Sequence, residues 1–421
     1  MIKAVLSGIV LVFMLGDSAL PAPSVKRSED SAPGLTSAET LEALRASGDM
    51  PEQRRHVWNL ISDLTHTVTK AGSAQPFFET WHGEGELFSN GAPGPRGIRG
   101  FSRTSDRASA LNSQTTDVPV LTYTLYNDAA YGHILRNHLN KSTELNRLRK
   151  TGALDTSVAG DRSVPPFPAD AIVLKTVWWP VAKNGLTTLP VWDPGSNSPR
   201  RSGNPYTSWQ RVVAVDPSGL TRADSMVAID FAGSSFPRSR RIGIDAFYHV
   251  VVDARMSKRM MRDPETRKAV LIALGRPLKA GDYLALVAAN LAAREVPDWI
   301  WATFWWHDQP DRGPFAAGKP ATLEPVWNNY LMQTAFDAVK PAVNGSPHIA
   351  FNPWLEGRFP DGGHGNGMTS NCMACHQRAS YPPVPFLPVT RGRPDPRNDP
   401  ALAPGRLRTS FLWSLAMHAK P

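Results

Sequence analysis

Both cysteines of this 421-residue chain stand in one pentapeptide, Cys372-Met373-Ala374-Cys375-His376. Only residues 377–421 follow it, and their middle part, "YPPVPFLPVTRGRPDPRNDPALAPG", is dense in proline. Such a segment wraps over a surface and does not build a helical core. Any pocket the pentapeptide needs must therefore come from residues before 370. The C-terminal segment, residues 351–421, is expected to pack on a body formed by residues 36–350.

The spacing of the pentapeptide meets a geometric demand. Two thiols separated by two residues on a helical turn can both reach the edge of one porphyrin and add to its vinyl groups. A histidine next to the second thiol then lies where its imidazole can bind the iron from the proximal side. Cys372, Cys375 and His376 are thus candidates to hold one covalent haem c, with His376 as the iron ligand. Two rival chemistries use the same cysteine pair. A zinc site needs two more ligands, and no second cysteine pair is present to give them. A thioredoxin-like dithiol normally sits between a strand and a helix of a small α/β domain. The flanks here are a Gly-rich loop, "DGGHGNGMTSN", and the Pro-rich tail.

Covalent haem is attached outside the bacterial cytoplasmic membrane, so an export signal is expected. Lys3 followed by the apolar run Ala4–Gly16 and the small residues of "DSALPAPS" supplies one over residues 1–22. The run is short for a membrane span. No cysteine lies near it to carry a lipid anchor, so the expected location is periplasmic, soluble and without a stable membrane anchor. Residues 23–35 read as a polar linker. With 41% hydrophobic and 20% charged residues, the chain has the composition of a protein with a large packed core rather than of a disordered chain. The net charge of +9 gathers at Arg200 and Arg201, at Arg238, Arg240 and Arg241, and at Lys258, Arg259 and Arg262. These clusters are open to three readings: a solvated exported surface, a dock for an acidic redox partner protein, or charge near the haem propionates; nucleic acid does not suit that compartment.

The body reads as α+β: a mostly antiparallel sheet with flanking helices, and the C-terminal haem segment packed on it. Thr36 and Glu39 suggest a capping box for a helix that stops at Gly48, and Asp49 and Pro51 open a second. Residues 127–151 hold two further helical stretches. "AIVLKTVWWPVA", "TLPVWD", "WQRVVAVD", "SMVAIDF", "FYHVVVDA", "DYLALVAANLAA" and "DWIWATFWWHD" have strand length and strand composition. "DPETRKAVLIALG" and "PVWNNYLMQTAFDAV" read as helices. His82, Glu84 and Glu86 alternate with glycines, which suits a loop better than the helical histidine pair of a zinc protease.

The distal face of the haem has several candidates. Met417 ranks first, since the tail is long enough to bring it across the ring. His418, His364, Met368 and His307 are the others, and an iron open to water or a small ligand is the remaining possibility. A filled distal site implies electron transfer. An open one implies a haem enzyme of peroxidase or oxygenase type.

Five stretches, "FETW" (78–81), "PDWIWATFWW" (297–306), "FNPWLEG" (351–357), "SNCMACHQRA" (370–379) and "RTSFLWSL" (408–415), give the chain a further character. In them it resembles a group of exported bacterial proteins labelled cytochrome c family protein, over most of the length after the signal. The resemblance implies one covalent c-type haem held by Cys372, Cys375 and His376.

Overall fold

A computed structural model of the chain describes residues 36–70, 72–88, 118–156, 158–193, 206–219, 225–338, 340, 348–357, 371–383 and 405–420. The expected signal segment and linker, Arg200, Arg201, His364, Met368 and most of the Pro-rich tail lie outside them.

The centre is a seven-stranded sheet. Its strands are β1 (His82–Gly83), β2 (Leu121–Tyr126), β3 (Ile172–Val181), β4 (His249–Val251), β5 (Tyr283–Ala293), β6 (Ile300–Trp306) and β7 (Tyr330–Ala335). They run in the order β7-β6-β5-β3-β2-β1, and β4 extends the edge of β5. Every pairing in this sheet is antiparallel. The long central strands carry near-continuous apolar runs because both faces are covered. β3 is buried at every position except Lys175. β5 is buried except at Tyr283 and Asn290. Lys175 and Asn290 stand directly opposite each other.

A second sheet contains Thr187–Val191, Arg211–Asp216, Met226–Phe231 and Ser234–Gly243, and here one pairing is parallel. Two of the expected surface cations, Arg240 and Arg241, serve inside this region. Arg211 and Arg240 both reach the buried Asp308, at 2.5 and 3.3 Å, and Arg241 pairs with Asp216. Arg238, Lys258, Arg259 and Arg262 remain exposed. The protein is α+β, as the sequence suggests. Among the described residues no helix is long and apolar enough to cross a membrane.

The helix Met50–Thr65 starts at Asp49, whose side chain accepts the Glu52 N–H, and has Pro51 in its first turn. It buries Val57, Trp58, Leu60, Ile61 and Leu64, the face expected from their spacing. Arg54 on the same helix donates to the carbonyls of Phe315, Ala317 and Met332, which ties the helix to β7. The preceding helix, Ala38–Ser47, is capped by Ser37 rather than by the expected Thr36–Glu39 box. Thr36 Oγ1 lies instead 3.3 Å from His56 Nδ1. The helix expected over 325–339 is also absent. A 3-10 turn, Pro325–Asn329, leads into β7, whose six residues are all buried. A run buried on both faces has no period of two to report it, and pairing with β6 decides the outcome.

The C-terminal segment joins the body through a small sheet. Leu407–Arg408 lies parallel to Arg162–Ser163 and antiparallel to Ser380–Tyr381. This seats the chain on either side of the Pro-rich tail against the body.

Candidate functional site

The pentapeptide forms one short helix, Cys372–His376. Asn371 holds its start. The Asn371 side-chain oxygen accepts the Met373 N–H at 2.9 Å, and its amide donates to the carbonyls of Asp337 and His348 at 3.1 and 3.3 Å. The Cys372 N–H donates to the Ala350 carbonyl at 3.0 Å, and the Cys372 thiol donates to the same oxygen at 3.3 Å. Helix and body are therefore fixed to each other by main-chain and capping bonds at the first cysteine.

His376 closes the helix. Its Nδ1 lies 2.8 Å from the Phe411 carbonyl oxygen. A carbonyl only accepts, so Nδ1 carries the proton and Nε2 keeps its lone pair. Such a bond from the remote ring nitrogen is what orients an imidazole for a metal at the other. Burial holds the imidazole at about 4, partly countered by the Phe411 bond and reinforced by the charge of Lys175. At neutral pH it is uncharged, the form that ligates.

The acceptor is itself held in an uncommon backbone. Ser410 and Phe411 both have positive φ, 49° and 64°. Each such non-glycine residue costs on the order of 1–3 kcal/mol and persists only where its surroundings impose it. They do so here. Trp299 Nε1 donates to Ser410 Oγ at 3.1 Å, and the Leu412 N–H closes back on the Thr409 carbonyl at 3.0 Å. Trp299 is fully buried and has φ 61°.

The floor of the site is one face of the main sheet. Cross-strand partners share a face, and residues two apart along a strand do too. Tyr126, Val173, Ala292, Trp301 and Ala335 lie in register across β2, β3, β5, β6 and β7. They belong to one apolar cluster with Cys372, Met373, Leu412 and Leu415. The Trp301 ring lies 4.2 Å from that of His376. The next row on that face is polar throughout: Thr124, Lys175, Asn290, Thr303 and Gln333. It holds the stretch Phe351–Gly357. Gln333 Oε1 accepts the Phe351 N–H at 3.0 Å. Asn290 Oδ1 accepts from the Asn352 amide at 2.8 Å. Glu356 accepts from Asn290 Nδ2 at 3.3 Å and from the Asn352 N–H at 2.5 Å.

Burial raises the Glu356 carboxyl to about 7 against its amide bonds and the charge of Lys175. Burial also pushes the Cys372 thiol well up, with Glu356 and Cys375 adding to the effect. A reactive dithiol requires a lowered thiol pKa, so the environment of Cys372 opposes the thioredoxin-like reading. Among the described residues no group of three or more His, Cys, Asp or Glu could hold a metal ion, so the zinc reading finds no complete ligand set there. An uncharged imidazole able to bind iron and two thiols on one helical turn able to add to vinyl groups are the side chains that a c-type haem requires.

The other sequence candidates fall elsewhere. His307 has both ring nitrogens engaged, with the Gln309 N–H on Nδ1 and the Arg211 guanidinium on Nε2, each at 3.0 Å. His418 pairs with Glu84 at 3.1 Å. Met417 is half-buried in the helix Trp413–His418. His82 lies between Glu86 and Asp128, at 3.0 and 2.8 Å, and stacks on Tyr131. The segment 84–88 that follows it is a short helix rather than a loop. Sequence reasoning did not single out Glu356, Lys175 or Asn290. A lone lysine and a lone asparagine inside two apolar strand runs are the signal that could have found them. Compared with protein-family models, curated proteins and solved structures, the chain matches none.

Proposed function

We propose that this chain is an exported, periplasmic monohaem c-type cytochrome, with Cys372 and Cys375 as the thioether residues, His376 as the proximal iron ligand and electron transfer as its role. The observation that carries the reading is the bond from His376 Nδ1 to the Phe411 carbonyl. It leaves Nε2 as the only ring nitrogen with a lone pair, on a helical turn that also carries both thiols. When bound, the haem supplies a one-electron iron couple. The chain's own residues orient the imidazole, keep it uncharged and enclose it with Trp301 and Phe411.

Phe411 also bears on the distal side. Its carbonyl meets Nδ1, the nitrogen that would face away from an iron held at Nε2, and the chain runs from there into the helix Trp413–His418. That helix is fixed at its other end by His418 on Glu84, and its Leu415 lies in the same cluster as Cys372. We therefore assign Met417 to packing behind the proximal histidine rather than to the far face of the haem. The engagement of His307 and His418 favours the second reading to that extent, a haem enzyme with an open distal site.

The test is covalent haem on the chain as exported by a host able to attach it. Denatured protein should retain haem staining on a gel, with a mass increased by one haem, and Cys372→Ala/Cys375→Ala should lose both. Wild-type protein without covalent haem would overturn the proposal. Cyanide separates the two roles: an unchanged spectrum supports the electron carrier, and a shifted high-spin spectrum supports the enzyme.

A further inference from the structure

Glu356 ends the short helix Pro353–Glu356 and is hydrogen-bonded to the sheet face that carries the pentapeptide, yet among the described residues no cation is hydrogen-bonded to it. It accepts hydrogen bonds from neutral amides, Asn290 Nδ2 and the Asn352 N–H. From β3 the charge of Lys175 acts on it, and acts on His376 as well. From the helix Cys372–His376 the Cys372 thiol faces it closely enough for the two to influence each other. Asn290 is held in turn by the Asn352 amide, so the carboxyl has a fixed position. A structural carboxylate at such a place would be expected to take a guanidinium, as Asp282 takes Arg276 at 2.7 Å elsewhere in this chain. Glu356 has the surroundings of a group that changes charge.

A buried site resists a change in net charge, because little solvent is present to screen it. Reduction of a haem iron adds one negative charge. We propose that Glu356 is the proton acceptor coupled to that reduction: it takes one proton from solvent as the iron takes one electron from a one-electron donor, and releases it on reoxidation. No bond other than the carboxyl O–H forms or breaks, and the charge of the site stays constant. The inference rests on the haem reading above. The raised position of this carboxyl, about 7 in the haem-free chain, places the coupling near neutrality.

The sign follows from linkage. The carboxyl binds its proton more tightly when the iron is reduced. Between its two pKa values, rising pH therefore disfavours reduction, by up to tenfold in the reduction equilibrium per pH unit. Outside that window the equilibrium is flat.

Redox titration of the holoprotein against mediators from pH 5 to 9 tests this. Wild type should show the sloping window, and Glu356→Gln, nearly isosteric, should remove it. Lys175→Met should keep the slope and move it to higher pH, because a cation that favours the carboxylate has gone. Should Glu356→Gln fail to fold, the reduced-minus-oxidised infrared spectrum of wild type reads the same event, as a protonated-carboxyl band gained on reduction. A flat wild-type profile, a slope retained in Glu356→Gln, or no carboxyl band would overturn the proposal. Haem staining of the same denatured samples separates this failure from failure of the haem reading: stained protein with no slope rejects the coupling alone, and unstained protein rejects both.

Discussion

The ring of Trp301 lies 4.2 Å from the ring of His376, centroid to centroid, at an interplanar angle of 42°. Trp301 stands on β6 and is 4% exposed, so the imidazole rests on the sheet rather than on a loop. Replacing it should open a cavity under the histidine. Trp301→Ala is expected to cost about 3–5 kcal/mol of folding stability, read by denaturant unfolding of the haem-free Cys372→Ala/Cys375→Ala background. Trp301→Phe should recover most of the loss. An alanine variant as stable as its parent would mean that the ring contact does not support the site.

Asn371 caps the pentapeptide helix and also holds two carbonyls of the body. Asn371→Ala removes the cap and leaves those acceptors short of a donor. The expected loss is about 1–3 kcal/mol. Asn371→Asp keeps the cap but not the donated bonds, and should fall between the two. A full recovery by aspartate would place all the effect in the cap.

Met417→Ala should leave the oxidised absorption spectrum of the holoprotein unchanged, because the chain enters the helix of Met417 directly from Phe411, whose carbonyl holds His376 Nδ1. His376→Ala should instead give poorly held or high-spin haem. Loss of a methionine-to-iron absorption band in the Met417 variant would put that side chain on the distal face after all.

The raised Glu356 carboxyl makes stability depend on pH in a definite direction. Its folded value of about 7 lies above the ordinary 4.5, so between these two values the folded chain binds more protons than the unfolded one. Stability from this group is fully present below pH 4.5 and falls as pH rises through 7. Glu356→Gln should therefore be more stable than its parent at pH 8, by on the order of 2–3 kcal/mol, and much closer to it at pH 4.5. His376 acts in the opposite sense. Its folded value of about 4 lies below the ordinary 6.5, so the haem-free chain loses stability as pH falls from 6.5 towards 4. Urea midpoints measured across pH on the haem-free background separate the two, since only the acid limb should respond to His376→Phe.

Several of the strands and most of the longer helices were legible because their evidence is local. Asp49 with Pro51, Gly48 and Gly275 mark helix ends by backbone chemistry, and the structure uses all of them there. Residues 330–335 were misread because a strand buried on both faces and a buried helical segment have the same composition, and only the partner strand chooses between them. β2 was passed over, although "LTYTLY" has strand composition. At the site, the candidates Cys372, Cys375 and His376 could be picked out directly from their spacing, and the structure places them on one short helix. Phe411 could not. Its contribution is a carbonyl oxygen, which every residue has, and its importance lies in a position 35 residues away from the histidine it meets. Glu356 was hidden for a related reason: the two residues that act on it, Asn290 by a hydrogen bond and Lys175 by its charge, stand opposite one another on strands distant from it in sequence.

The polar row Thr124, Lys175, Asn290, Thr303 and Gln333 also decides which of many sheets this chain can make. The runs around it are valine, leucine, alanine and tryptophan, which would pack almost as well after sliding. A slip of one residue in any of these pairings would turn polar side chains onto the opposite face and leave Phe351, Asn352 and Glu356 without their partners. The row thus acts as an index mark: it gives a sheet of nearly interchangeable apolar strands a single alignment, and with it a single place for the histidine to stand.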